Sequence, residues 1–158
     1  MAGQPYQSPF LDAIEEVPDI EWLFRRVFPD FIDWANRDAD GRPRVKSGAF
    51  QDYSDKRAAE LGYEAPAMSV AVRSIVLAND LQPSHLLSAY PGSYGLVAIT
   101  AAEARAVMQG VMLRPTELEP WHAIVFDTTA RKRRPMAQSE LAICATNRWI
   151  IVPPDPGP

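Results

Sequence analysis

Proline recurs so often in this chain that long uninterrupted helices and strands are excluded from most of it. Fifteen of the 158 residues are proline. Because proline lacks a backbone N–H, it ends or bends a helix and is kept out of central strands. Short elements are therefore expected. Residues 1–18 are predicted to form an irregular lead-in, and residues 153–158 a proline-rich tail.

The residues between these two ends suit one folded domain. A length of 158 residues lies in the usual single-domain range. A composition of 47% hydrophobic and 23% charged residues is typical of globular proteins. Strand-like and helix-like patterns follow one another along the chain. We therefore predict a single compact α+β domain over residues 19–152, built on a small mixed sheet.

The cysteine content and the apolar pattern bear on the cellular compartment. Cys144 is the one cysteine, which excludes a disulfide framework within the chain. The first residues lack the basic and apolar regions of a secretory signal. No apolar run approaches the roughly 18 residues that a membrane-spanning helix needs. These features predict a cytoplasmic protein, of the kind found in a bacterial cytosol.

An aromatic-rich segment near the N-terminus is predicted to be an amphipathic helix over residues 19–35. Its apolar residues recur at helical spacing; they are Ile20, Leu23, Phe24, Val27, Phe28, Phe31, Ile32 and Ala35. Pro29 is expected to kink or split this helix. Its aromatic face is predicted to pack on the sheet.

Later segments carry clearer local patterns. Thr100 and Glu103 have the spacing of a capping box, which predicts a helix beginning there. Pro135 suits the first position of another helix, through about Thr146. Ser54 is a suitable N-cap for a short helix at residues 55–61. Strands are predicted at residues 68–73, 94–99, 121–127 and 149–152; residues 74–79 fit a strand or a helix equally.

Asn36, Asp38 and Asp40, followed by Gly41, match the first positions of a calcium-binding loop. The position that should supply a bidentate glutamate is Ser47, and three nearby cations oppose a dication. A polar turn with side chains bonded to its own backbone explains the same residues. No metal and no cofactor are therefore predicted.

Two basic segments are the candidate ligand-binding residues. The first, at residues 42–53, has cations at alternate positions followed by two aromatic residues: Arg42, Arg44, Lys46, Phe50 and Tyr53. The second precedes the helix at Pro135: Arg131, Lys132, Arg133 and Arg134. Arginine forks bind carboxylates and phosphates, although solvated loops would explain both segments.

Candidates for catalysis centre on His122, which lies in an apolar strand. Ser47, Asp52 and Asp127 are the candidate helpers. Residues 122 and 127 differ by an odd number, which places them on opposite faces of an ideal strand. A histidine with a structural hydrogen bond is the simpler alternative. Cys144 lies in an apolar helix segment that would not activate a thiol.

Two functions follow from these residues. The first is a small accessory protein that recognises an acidic protein surface or an anionic ligand through its basic segments. The alternative is a small enzyme that acts on an anionic metabolite or nucleotide, with His122 as general acid or base. Neither a P-loop nor a Gly-x-Gly-x-x-Gly motif supports nucleotide binding. A net charge of −4 argues against nucleic acid, and a homo-oligomer is left open.

Overall fold

Strands from the whole length of the chain meet in one sheet. The computed structural model describes residues 17–63 and 65–157. Its strands are β1 (Trp22–Val27), β2 (Ile32–Asp33), β3 (Arg44–Val45), β4 (Met68–Val72), β5 (Gly95–Thr100), β6 (Gln109–Leu113), β7 (His122–Asp127) and β8 (Trp149–Ile151). Six of them form a sheet in the order β6-β7-β4-β1-β5-β8, and β2 pairs with β3.

Helices lie between the strands and complete the α+β fold. They are α1 (Asp55–Glu60), α2 (Arg73–Ala78), α3 (Ala101–Ala106) and α4 (Pro135–Thr146), with 3₁₀ segments at Pro29–Phe31, Ser47–Phe50 and Pro83–Leu87. The predicted α+β class is confirmed. The strand pairs are antiparallel, whereas a mixed sheet was predicted. In the described part of the chain, no helix is long and apolar enough to cross a membrane.

The predicted aromatic N-terminal helix is wrong, because its first half is the strand β1. This strand lies inside the sheet, paired with β4 and β5. Leu23 and Val27 are buried on one face of the sheet, whereas Phe24 is buried on the other. A strand that is covered on both faces is apolar without alternation. Such a run fits helical spacing by coincidence.

The capping box at the start of α3 is confirmed. Thr100 accepts a hydrogen bond from the N–H of Glu103 at 3.1 Å, and the Glu103 carboxylate accepts one from the N–H of Thr100 at 2.7 Å. Arg148 forms an ion pair with the same carboxylate. The predicted N-cap of α1 is also present, because Ser54 accepts from the N–H of Arg57. Local hydrogen bonds of this kind were readable from spacing alone.

One face of the sheet, here called the first face, carries Leu23, Val27 and their neighbours and is covered by α4 and the 3₁₀ segment Ser47–Phe50. Leu141 of α4 and Phe50 of the 3₁₀ segment are fully buried against it. The opposite, second face carries Phe24, which packs with Val76 of α2. The helices therefore leave part of the second face uncovered beside α1.

A buried charge network ties segment 47–53 to the first face. The side chain of Arg133 is 0% exposed and that of Asp52 is 5% exposed. The backbone N–H of Arg133 donates to Asp52 Oδ2 at 2.7 Å. The guanidinium Nη1 of Arg133 lies 2.7 Å from Asp52 Oδ1 and forms an ion pair with it, without hydrogen-bond geometry. Further N–H groups of Arg133 donate to Phe50 O and Val125 O. Burial lowers the pKa of Arg133, and the Asp52 charge opposes that shift.

Arg25 of β1 also holds segment 47–53 against the sheet. Its Nε donates to Ala49 O at 2.9 Å, and its Nη1 donates to Ser69 O at 2.7 Å. Burial lowers the pKa of Arg25 to about 10. Because Arg25 and Arg133 hold the backbone of this segment at Ala49 and Phe50, Tyr53 at its end has a fixed position on the sheet.

Candidate functional site

The uncovered part of the second face forms a groove, which we call the Arg26 groove. Two adjoining cavities of about 400 Å³ each share Arg26, Tyr53, Arg57 and Tyr90. We call one of them the inner cavity; it is lined by β1, β4, β7, segment 53–63 and segment 114–119. Its lining residues include Ser69, Tyr63, Arg114, Glu119 and His122. The other, which we call the outer cavity, is lined by residues that include Asp52. A third cavity of about 220 Å³ shares Arg26, Tyr90 and Glu119.

Arg26 lies where these cavities meet. It projects from the second face, as Phe24 does, because alternate residues of a strand share a face. Its guanidinium lies 4.3 Å from the centre of the Tyr90 ring and makes one long hydrogen bond, 3.4 Å, to Leu86 O. In the part of the chain that the structure describes, Arg26 has no ion pair. Most of its five N–H groups are therefore available to a bound group.

Two further arginines add positive charge to the groove. Arg114 lies over the Tyr63 ring at 5.3 Å and donates to Gly62 O at 3.4 Å. Arg57 of α1 is exposed and pairs with Glu60 of its own helix at 3.1 Å. Among the described residues, Glu119 is the single carboxylate on the inner cavity, so the arginines that line this cavity outnumber its acids.

The ring of His122 has a defined orientation on the wall of the groove. Its Nδ1 lies 2.8 Å from the carbonyl oxygen of Arg114. A carbonyl only accepts, so Nδ1 carries the proton, and in the neutral ring Nε2 has the lone pair. Nε2 lies 3.4 Å from the hydroxyl of Tyr63. Nε2 is thus a proton acceptor beside the Tyr63 hydroxyl on the wall of the groove, and the backbone holds the ring in place.

Glu119 is placed by a tight turn at segment 116–119. Its N–H donates to Thr116 Oγ1 at 3.0 Å, and its carbonyl accepts from the N–H of Thr116 and of His122. The groove therefore offers hydrogen-bond acceptors, from Glu119 and His122, beside the donors of Arg26.

The hydroxyl of Tyr63 is expected to stay protonated at pH values well above the usual pKa of a phenol. Burial, followed by the effect of Tyr53, raises the pKa of Tyr63 to about 12, against about 10 in an unfolded chain. Folding thus favours the neutral phenol of Tyr63. The contribution of this group to the free energy of unfolding is complete below pH 10 and is lost as pH rises toward 12.

The measurement is a tyrosinate absorbance titration of the wild type and of Tyr63→Phe, with circular dichroism of the same samples to show that the chain is folded. We expect the transition missing from the variant to lie above pH 11. A missing transition near pH 10 would contradict this placement of Tyr63.

Of the residues predicted from sequence, His122 and Tyr53 meet on one groove. Asp127, a predicted helper of His122, lies on the first face at the end of β7, as the odd spacing predicts. Burial would raise the pKa of Asp127, but hydrogen bonds from Thr129 and Gln109 hold it below its usual value. Asp127 is therefore part of the internal polar network and does not face His122.

The cations of the first basic segment do not line the described cavities of the groove. Arg42 forms ion pairs with Asp38 and Asp40, so these carboxylates serve a turn of their own. Arg44 and Lys46 are exposed at β3 and directly after it. Among the residues that the structure describes, no cluster of carboxylate, histidine and cysteine side chains is placed to hold a metal ion.

The remaining predicted residues are divided between surface and core. Arg131, Lys132 and Arg134 are exposed, whereas Arg133 is fully buried. Phe50 lies in the core, and Ser47 is exposed at the start of a 3₁₀ segment. Asp52 lines the outer cavity of the groove, but its carboxylate is engaged by Arg133.

Sequence reasoning missed the residue at the centre of the groove, Arg26. The pair Arg25-Arg26 inside an apolar run was the available clue. Neighbouring cations in a strand project to opposite faces, so Arg26 projects from the second face when Arg25 projects from the first. Tyr63, Tyr90, Arg114 and Glu119 come from separate loops, and only the fold brings them together.

Comparison with protein-family models, with curated proteins and with solved structures finds no match for this chain.

Proposed function

We propose that the protein binds a small anionic ligand in the Arg26 groove. The observation that carries the proposal is the guanidinium of Arg26, half-buried where three cavities meet and without an ion pair among the described residues. A partly desolvated cation is stabilised by an anion that accepts from its fork. Arg57 and Arg114 line the same cavity.

The shape of the groove favours a small ligand over an acidic protein surface. Each of the two larger cavities, at about 400 Å³, is within the range of small-molecule sites, about 300–1,000 Å³. A protein partner would instead bury a broad patch of surface. The exposed cations of the predicted basic segments remain the candidates for such a partner.

The test is a calorimetric titration with inorganic pyrophosphate at low and moderate salt. We expect Arg26→Gln to weaken binding at least about tenfold, because a hydrogen bond to a charged group contributes about 1.5–3 kcal/mol. Arg26→Lys should retain part of the affinity, since it keeps the charge but loses the fork. Added salt should weaken binding by the wild type.

Arg44→Gln is the matched control, because Arg44 is an exposed arginine of the predicted basic segment and lies on β3, which belongs to the other sheet. If Arg44→Gln weakened pyrophosphate binding while Arg26→Gln left it unchanged, the basic segment would be the site and the Arg26 groove would not.

A second candidate function is catalysis by His122 on the bound anion. The observation that favours it is the fixed orientation of the His122 ring, with Nδ1 donating to Arg114 O and Nε2 beside the hydroxyl of Tyr63, which also lines the groove. A base held in this way accepts a proton without reorienting. An enzyme would lose turnover in His122→Gln and keep most of its ligand affinity, whereas a pure binding protein would show no turnover to lose.

A further inference from the structure

Aromatic rings accompany the arginines of the groove. Tyr53 and Tyr63 lie side by side, with ring centres 6.0 Å apart and planes at 41°. The guanidinium of Arg26 lies over the Tyr90 ring, and the centre of that ring lies 5.1 Å from the centre of the Tyr94 ring. All four tyrosines are half-buried, with part of each ring at the surface. Such rings stack on flat ligands without requiring a specific hydrogen-bond pattern.

Tyr53 is the best placed of these rings to receive a planar group. It lines both larger cavities, at the point where they join. Its N–H donates to Ala67 O at 2.9 Å, and its neighbour Asp52 is held by Arg133. The backbone beneath the ring is thus fixed on both sides, which keeps the stacking surface in position.

The acceptors of the groove favour a ligand that carries hydrogen-bond donors as well as an anionic group. Glu119 and His122 line the same cavity as Arg26. Phosphate alone would approach Glu119 unfavourably, since like charges repel. A ligand with N–H or O–H groups next to its anionic group satisfies both the arginines and these acceptors.

We propose that the anion bound in the Arg26 groove is a nucleotide. Its phosphate would bind Arg26, its base would stack on Tyr53, and its amino or hydroxyl groups would donate to Glu119 and His122. The two joined cavities, each of about 400 Å³, provide room for such a ligand. This inference rests on the proposed function. It adds to the anionic group of the ligand a base that stacks on Tyr53 and amino or hydroxyl groups that donate hydrogen bonds.

The test compares AMP with its two halves, adenosine and ribose 5-phosphate, and with inorganic pyrophosphate, all by calorimetry on the full chain. We expect AMP to bind at least about tenfold more tightly than either half. Tyr53→Leu should weaken AMP binding about tenfold and leave ribose 5-phosphate unchanged, because the loss of a stacked base is of that size. Tyr53→Phe, which keeps the ring, should retain the affinity for AMP.

Distinct results would overturn the two proposals. Ribose 5-phosphate binding as tightly as AMP would refute the nucleotide and leave the anion site standing. Failure of all three phosphate compounds to bind would refute the proposed function itself. If Tyr53→Leu does not fold, the comparison of the three ligands on the wild type decides the matter by itself.

Discussion

Replacing Arg133 with methionine is expected to lower the free energy of unfolding by about 3–5 kcal/mol, the cost of removing one partner of a buried ion pair. The side chain is fully buried; its guanidinium donates to Gln109, Phe50 and Val125 and forms an ion pair with Asp52. Methionine fills much of the space but cannot satisfy these acceptors. The Asp52 carboxylate would remain buried without its cation.

Two comparisons show whether the loss of stability comes from the buried charge of Arg133 or from removing any cation of the run 131–134. Arg134→Met changes an exposed neighbour and should alter stability by no more than about 0.5 kcal/mol. Arg133→Met combined with Asp52→Leu should be less destabilised than Arg133→Met alone, because no unpaired carboxylate is left. Urea unfolding curves measure all three variants. Equal stability of the two single variants would contradict the proposed buried ion pair.

Phe50→Ala is expected to lower the free energy of unfolding by about 3–5 kcal/mol, the usual cost of truncating a buried phenylalanine. Phe50 is 0% exposed and belongs to the core between the first face and α4. The cavity left by the ring lies directly beneath the segment that carries Asp52 and Tyr53. We therefore expect the loss to be at the upper end of this range.

Leu118→Ala is the control, because Leu118 is 87% exposed and lies in a loop. It should change stability by less than about 0.5 kcal/mol. Thermal unfolding followed by circular dichroism compares the two variants. A Phe50→Ala protein with the melting temperature of the wild type would show that segment 47–50 does not pack as described.

Elements with strong local signals were predicted well from sequence. The helix after Thr100 was found because its capping box is entirely local. The strand at β7 was found because six consecutive residues are buried there, between Pro120 and a polar turn. The helix α4 begins at Pro135, as predicted. In each of these, residues close in sequence determine the structure.

β1 was predicted incorrectly because its structure depends on distant partners. Leu23 pairs with Val72 on one side and with Ile99 on the other. Because Leu23 and Val27 are buried on one face of the strand and Phe24 is buried on the other, the period of two is hidden in the sequence. The central residue of the groove was missed for the same reason, since Arg26 was assigned to a helix and not to one face of a sheet.

The basic run at residues 131–134 illustrates a second limit. Four adjacent cations look alike in sequence, yet only Arg133 is buried among them. Its partner Asp52 is 81 residues away. Which cation turns inward depends on where the fold places that carboxylate, and local spacing contains no information about it. The exposure of its three neighbours agrees with an ordinary solvated turn.

The central position of β1 has a consequence for how the chain folds during synthesis. β1 leaves the ribosome before its partner strands β4 and β5, which follow about 45 and 75 residues later. Until they emerge, an apolar strand with both edges unpaired is exposed to other chains. The growing chain is then most prone to self-association, and binding by a chaperone in this interval would protect it.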